Sequence, residues 1–296
     1  MSVQKRLGGV GTALVTPFRK DGHHIDFDAL QRIVDYTLAG GADFLVVLGT
    51  TGESPTLDET EKRELCRAVA EYTHGRVPLV MGIGGNNTAA VVKTLQNTDL
   101  SGYSYILSVS PFYNKPGQRG LYAHFKTVAE NSPLPVIVYN IPSRCGANVD
   151  SETVVRLAQT VPNIAAVKEA SGMVGKIGEI LRDRPEHFSV FSGDDSLTLP
   201  LVAMGADGVI STAANLIPKE MKTIVESVKR GDLAEAQTVN FRIMNLLRLL
   251  FEQGNPPGIK AALHIQGFCE NSLRLPLTTV TRNLYGRIEA ELKKAF

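Results

Sequence analysis

Eight short apolar runs, separated by amphipathic helical segments, predict an α/β fold: a (β/α)8 TIM barrel with a C-terminal helical extension. Three observations carry this reading. The runs are continuous in Val, Ile, Leu and Phe rather than alternating, which suits parallel strands buried on both faces. The helical segments between them carry apolar faces and recognisable start and stop signals. The length, 296 residues, is within reach of one large barrel. Strand order is invisible in a sequence, so a doubly wound open sheet is the alternative arrangement.

The predicted strands are Gly11–Thr16, Phe44–Leu48, Leu79–Ile83, Ser104–Val109, Val136–Asn140, Ile164–Lys168, Ser189–Ser192 and Gly208–Ser211. Asp26 is placed to cap a helix whose apolar residues are Phe27, Leu30, Ile33, Val34 and Leu38, and Gly40-Gly41 stops it. Thr56 with Glu59 reads as a capping box ahead of Leu65, Val69 and Tyr72. Leu121, Phe125 and Val128 form a further face. Asp150 stands before Val154, Val155 and Leu157 as a cap, and Pro218 precedes the face of Met221, Ile224, Val225 and Val228. After Gly231 the pattern becomes helical only. Asp232–Phe251 is long, and shorter segments follow near Gly258–Phe268 and Thr279–Lys294. The expected organisation is a catalytic barrel over residues 1–230 and a helical region over 231–296. No tandem repeat or low-complexity stretch interrupts it.

Composition excludes several classes. With 31 Lys and Arg against 30 Asp and Glu, the net charge is +1, so no basic surplus points to nucleic acid or to a membrane surface. No apolar stretch approaches the ~20 residues of a membrane span. Met1–Arg6 lacks a following apolar signal core, and Gly9–Phe18 reads as strand directly after it. Cys66, Cys145 and Cys269 are odd in number and widely spaced, which fits reduced thiols and a cytoplasmic location. The six histidines form no His-x-x-x-His pair, so no metal site is expected.

Chemistry is sought at the C-terminal ends of the strands, where barrels of this class place it. The sixth run ends in Val167-Lys168-Glu169. A lysine there either reaches into water or loses hydration, and burial disfavours the ammonium relative to the neutral amine. A neutral amine in a pocket forms a Schiff base with a carbonyl substrate. The second run ends in Gly49-Thr50-Thr51-Gly52-Glu53-Ser54, whose hydroxyls and close backbone suit a small carboxylate. The fifth run ends in Tyr139-Asn140-Ile141-Pro142-Ser143-Arg144. A tyrosine at a strand end packs half-buried or, beside an amine, moves protons. Arg144 can grip a carboxylate in a bidentate fork or sit in a surface ion pair. Gly82-Ile83-Gly84-Gly85 begins like a dinucleotide fingerprint but lacks its last glycine and follows the third run. Asp194-Asp195 looks like a metal pair without a third ligand, and helix capping is the better reading.

Gly49-Thr50-Thr51-Gly52-Glu53-Ser54, Tyr139-Asn140-Ile141-Pro142, Lys168-Glu169-Ala170 and Gly193-Asp194-Asp195, in this order, resemble the dihydrodipicolinate synthase / N-acetylneuraminate lyase family of Schiff-base aldolases. The likeness runs from about Gly8 to the C-terminus. Pro111-Phe112-Tyr113-Asn114 and Ser143-Arg144 resemble its synthase branch. The resemblance implies aldol condensation of pyruvate with L-aspartate 4-semialdehyde, giving 4-hydroxy-tetrahydrodipicolinate in lysine and diaminopimelate biosynthesis. It implies that Lys168 condenses with pyruvate, that Thr50, Tyr113 and Tyr139 relay protons, and that Thr51 and the Ile210 backbone hold the pyruvate carboxylate. Gly193 falls among the substrate-binding positions, and Arg144 receives the semialdehyde's carboxylate. No cofactor is implied, since the lysine is itself the electron sink. A homotetramer built as a dimer of dimers is implied, with Tyr113 contributed across a subunit interface. The alternative within the family is an N-acetylneuraminate or 2-keto-3-deoxy sugar acid lyase, against which Arg144 counts. A non-catalytic keto-acid sensor is a third possibility, opposed by the intact Lys168, Tyr139, Thr50 and Tyr113. Two departures stand out: Cys145 takes a position where the family commonly has threonine, and Ala90 and Phe112 replace polar partners at the cleft where lysine inhibits family members. Weak or absent lysine feedback is expected, although Ser54 and Asn86 remain.

Overall fold

A computed structural model describes residues 6–295 of the chain. The expectation for Met1–Arg6 lies, apart from Arg6, outside the described residues. The barrel elements in chain order are β1 (Gly9–Ala13), α1 (Phe27–Ala39), β2 (Phe44–Val47), α2 (Glu59–Thr73), β3 (Leu79–Gly82), α3 (Thr88–Asn97), β4 (Tyr105–Val109) and α4 (Gln118–Glu130). They continue through β5 (Val136–Asn140), α5 (Pro142–Cys145), α6 (Ser151–Thr160), β6 (Ile164–Glu169), α7 (Val174–Asp183), β7 (Ser189–Ser192), α8 (Thr198–Ala203), β8 (Gly208–Ser211) and α9 (Pro218–Lys229). Helices α10 (Leu233–Phe251), α11 (Pro257–Ile265) and α12 (Arg282–Ala295) follow. The eight strands close into a barrel in sequence order, which decides against the open sheet. Three of the predicted strand spans match β5, β7 and β8 in both bounds.

The first strand differs from expectation. It begins two residues earlier and ends at Ala13, because the Val15 amide donates to the Asn215 side chain at 3.1 Å instead of to a neighbouring strand. The expected capping box at Thr56 and Glu59 is also corrected. Thr56 belongs to a 3-10 turn, and its Oγ1 donates back to the Glu53 carbonyl at 3.0 Å. Asp58 caps α2 instead. Its carboxylate accepts from the Thr60 and Glu61 amides, and Glu61 accepts from the Asp58 amide in return. Asp26 caps α1 as expected, accepting from the Ala29 amide at 2.9 Å, and Gly40 ends that helix. Asp150 occupies the N-cap position of α6 without a side-chain bond to it. Asp194 caps the 3-10 turn Asp195–Leu197 through the Ser196 amide.

By contact the described residues fall into two compact units. One holds Val80–Ile210 with the described residues up to Gly9. In it Val136, Ile137, Val138, Ile164, Val167, Val190 and Phe191 are fully buried, beneath Leu121, Phe125, Leu157 and Ile180 of the helices. The parallel register runs Tyr139↔Lys168 and Asn140↔Glu169 between β5 and β6. Gly208, with φ 156, lies where a Cβ would meet the Gly9 carbonyl oxygen at 1.8 Å.

The other unit holds Val10–Leu79 with the described residues from Ser211 onward, so the C-terminal helices share it with β1 and β2. Its core combines Phe44, Leu45 and Val46 with Leu30, Ile33, Ile224, Ile243 and Leu246, all fully buried. Helix α11 approaches α10 so closely that a Cβ on Gly258 would sit 2.0 Å from the Leu250 carbonyl oxygen. Among the described residues no helix is long and apolar enough to cross a membrane.

A methyl group at Gly258 therefore cannot be accommodated without moving a helix. Gly258→Ala should lower the unfolding free energy by about 1–3 kcal/mol, read as a lower urea midpoint at unchanged slope. An unaltered midpoint would show that the two helices do not meet this closely.

Candidate active site

Side chains alternate across a strand, so the β5–β6 register puts Tyr139 and Lys168 on one face and Asn140 and Glu169 on the other. Lys168 is 7% exposed and Tyr139 5%. The lysine Nζ stands 4.4 Å from the centre of the tyrosine ring. Lys168 lies within β6 rather than beyond its end, which rules out the reading of a side chain reaching freely into water. Gly193, just after β7, lies against the same lysine. A Cβ there would come within 3.1 Å of Lys168 Cε and 2.7 Å of the Ala170 Cβ. Glycine at 193 thus leaves room for the lysine stem. Ile210 is buried in β8.

The opposite face holds a network to which sequence reading assigned no role. Asn140 Nδ2 donates to both Glu169 oxygens, at 3.0 and 3.1 Å, and to Asn148 Oδ1 at 2.8 Å. Lys176 of α7 donates to Glu169 Oε2 and to Asn148 Oδ1, both at 2.9 Å. The Ser171 and Val149 amides close the network on Glu169 Oε1 and Asn140 Oδ1. The Glu169 side chain is fully buried and that of Lys176 is 7% exposed. Glu169 and Asn140 lie inside motifs already singled out. Lys176 had a weak signal: a lysine on the apolar face of α7 beside Ile177 and Ile180.

This network braces the segment that carries Arg144. Arg144 sits exposed on the short helix α5, which opens with Pro142 and ends at Gly146 with φ 69. Cys145 beside it is buried; desolvation pushes its thiol up, with the Arg144 guanidinium pulling the other way. A thiol held neutral is no nucleophile. Tyr113 is 89% exposed on the loop after β4, at φ 71, and Lys115 two residues on has φ 44. Left-handed backbone at two non-glycine residues marks a loop held in a costly shape. The Asn86 amide donates to the Phe112 carbonyl, and Asn114 donates to the Asn86 carbonyl, pinning that loop to the end of β3.

In the other unit, Thr50 and Thr51 lie on the 3-10 turn Thr50–Gly52 after β2. Thr50 is half-buried and Thr51 buried. Thr51 Oγ1 lies 3.1 Å from Thr212 Oγ1 and accepts from Asn255 Nδ2 at 2.9 Å. Glu53 ends the turn at φ 52, fully buried, and forms an ion pair with Lys260, itself fully buried. Burial pushes the Lys260 ammonium down, against the pull of the Glu53 carboxylate. Lys260 also donates to the Ser272 carbonyl at 2.9 Å and lies 4.1 Å from the centre of the Phe18 ring. Sequence reading did not single out Thr212, Asn255 or Lys260, which lie far from the Thr50–Thr51 turn in the chain. Among the described residues no group of three or more His, Cys, Asp or Glu side chains is arranged to hold a metal.

Fold and side chains together define a parallel (β/α)8 barrel with ionisable groups at its strand ends, the architecture of an enzyme. The chain belongs to the dihydrodipicolinate synthetase family, whose model matches residues 6–295. A 4-hydroxy-tetrahydrodipicolinate synthase from Phocaeicola vulgatus is 45% identical over 292 residues, covering 99% of this chain and 98% of the relative. Another from Flavobacterium psychrophilum is 46% identical over 286 residues, 97% of each chain. The crystal structure of dihydrodipicolinate synthase from Thermotoga maritima superposes with a TM-score of 0.95 at 38% identity, over 98% of both chains. The Cyanidioschyzon merolae protein, solved with lysine bound, gives 0.93 at 38%, over 97% of this chain and 98% of that one.

Removing one partner of the buried Glu169–Lys176 pair leaves an uncompensated charge. Lys176→Met or Glu169→Gln should each cost about 3–5 kcal/mol, and the double variant much less than their sum. A urea double-mutant cycle measures this. Single variants within about 0.5 kcal/mol of the parent would show that the pair is not buried as described.

Proposed function

We propose that this chain is a class I, Schiff-base lyase that condenses pyruvate with L-aspartate 4-semialdehyde. The product is 4-hydroxy-tetrahydrodipicolinate, in lysine and diaminopimelate biosynthesis. The observation that carries the reading is the buried Lys168 set against Tyr139 across the β5–β6 register, in a chain of this family. Relatives at 44–47% identity bear the synthase name, which favours this reaction over the sugar-acid lyase alternative.

In the proposed reaction the Lys168 amine adds to C2 of pyruvate, and the carbinolamine loses water to give an imine. Loss of a C3 proton gives the enamine. Enamine C3 attacks the aldehyde carbon of the semialdehyde, whose oxygen takes up a proton. The semialdehyde amino nitrogen then adds to C2, and the ring closes as Lys168 leaves. Each step moves a proton, the work assigned to Tyr139, Thr50 and Tyr113. Thr51 and the Ile210 backbone hold the pyruvate carboxylate, and Arg144 holds that of the semialdehyde. Gly193 leaves space beside the lysine stem. The lysine serves as electron sink, so the proposed reaction uses no organic cofactor and no metal.

We further propose a cytoplasmic homotetramer, a dimer of dimers. The exposure of Phe112 and Tyr113 on a shaped loop supports a subunit contact there that carries Tyr113 into the partner's site. The three cysteines are all free and buried, which fits a reducing compartment. Ala90 and Phe112 offer no charge or phenol to a bound amino acid, which supports weak lysine feedback.

Borohydride with pyruvate should add one reduced pyruvyl group to Lys168, read by peptide mass spectrometry. Lys168→Ala should abolish the adduct and lower turnover at least ~10³-fold; full turnover in that variant would refute the nucleophile. Initial rates test the second site. Arg144→Ala should raise the semialdehyde KM about 10- to 100-fold while leaving the pyruvate KM nearly unchanged, and micromolar lysine should not slow the parent. Equal effects on both KM values, or inhibition at that lysine level, would contradict these assignments.

A further inference from the structure

Arg144 is carried on a helix too short to hold itself. Helix α5 spans Pro142–Cys145, a single turn, and one turn gains almost nothing from helix cooperativity. The direction of its arginine is therefore set by anchors on either side. Asn140, the last residue of β5, is one. Asn148, half-buried, is the other. Both lie in the compact unit that holds Lys168, as do their partners.

Residues 147–150 belong to no strand or helix, so side chains fasten them. The Asn148 amide oxygen has two lone pairs, and both are used. Asn140 Nδ2 donates to it at 2.8 Å and the Lys176 ammonium at 2.9 Å. The bond from the ammonium is charge-assisted and roughly twice as strong as a neutral one. Gln118 of α4 donates to the Asn148 carbonyl at 2.7 Å and accepts from the Asp150 amide at 3.1 Å. Without the Asn148 side-chain oxygen, Lys176 and Asn140 would each keep Glu169 as acceptor. The β5–β6 pairing that sets Lys168 beside Tyr139 then stays braced, and the Arg144 segment alone loses its tie.

We propose that Asn148 is a positioning residue for the semialdehyde carboxylate. Its amide oxygen, gripped by Lys176 and Asn140, fixes the single helical turn that presents Arg144. A bidentate fork is sensitive to small displacements, so the tie acts on binding of the second substrate and not on that of pyruvate. This rests on the role given to Arg144 above.

Initial rates with each substrate varied, together with borohydride trapping over a pyruvate series, test it. Asn148→Ala should raise the semialdehyde KM about tenfold, the loss of one bond of the fork, while half-saturation by pyruvate holds within about twofold. The similarly sized Asn148→Leu should do the same, since it fills the space and accepts nothing. Asn148→Asp should stay within about threefold of the parent. It gives up the 3.9 Å contact of the amide nitrogen with the Met173 sulfur, a weak acceptor, and keeps an oxygen for Lys176 and Asn140. A residue acting only through packing would show leucine as the milder change. On an Arg144→Ala background Asn148→Ala should add little. Gln118→Ala should give a rise of the same selectivity, and it carries the test if the Asn148 variants fail to fold. If Arg144→Ala raises the semialdehyde KM but the Asn148 and Gln118 variants do not, or if both substrates are affected equally, the positioning role is overturned and the role of Arg144 stands. If Arg144→Ala itself leaves that KM unchanged, both fall.

Discussion

The β5–β6 register is the constraint on which the rest of the site depends. With a side-chain period of two, slipping one strand by a single residue would turn Lys168 out toward the helices and Glu169 in toward Tyr139. Backbone pairing alone does not prevent that. What prevents it is the buried set Asn140, Glu169, Lys176 and Asn148, whose hydrogen bonds form only in the observed register. The polar groups on the outer face therefore fix the placement of the amine on the inner one. A buried ion pair is a poor source of net stability, but leaving either partner unpaired is costly, and that cost enforces one alignment.

The same device recurs around the Thr50–Thr51 turn. Glu53 and Lys260 are both fully buried, and each would be expensive alone. Together they hold a left-handed residue at the end of the turn that carries the hydroxyls. Arg274 adds a second brace, with its guanidinium 4.4 Å from the centre of the Phe18 ring and bonded to Glu61. The Arg274 bond holds the Glu61 carboxyl below its usual range. The folded-state value is the depressed one, so this contribution is complete above the ordinary glutamate range and is lost as pH falls through the lowered value. Acid should therefore loosen the brace between the C-terminal segment and the start of α2.

Much of this was legible in the residues. The strands stood out because parallel barrel strands are buried on both sides and read as unbroken apolar runs. Helices α3, α7 and α8 were less visible. In α3 only Val91 and Leu95 are buried, too few to show a clear period. Thr56 and Glu59 matched the capping-box spacing, but Asp58 and Glu61 match it equally, and a 3-10 turn that consumes Thr56 is a local choice the spacing does not reveal. Lys168, Tyr139, Thr51 and Gly193 were singled out because their motifs sit at strand ends. Thr212, Asn255 and Lys260 were not, because nothing local marks them as buried, and Lys176 had only its place on the apolar face of α7 beside Ile177 and Ile180.

Residue order alone determined the repeat of strand and helix, the family, and the residue types available for carbonyl chemistry, since these follow from local periodicity and short motifs. Closure of the barrel, the pairing of Tyr139 with Lys168, and the partners that allow Glu169, Lys260 and Asn255 to be buried were decided only by the tertiary structure. Some of those contacts join residues more than two hundred positions apart. Whether a charged or polar side chain can leave water depends on what meets it there, which no stretch of neighbouring residues specifies.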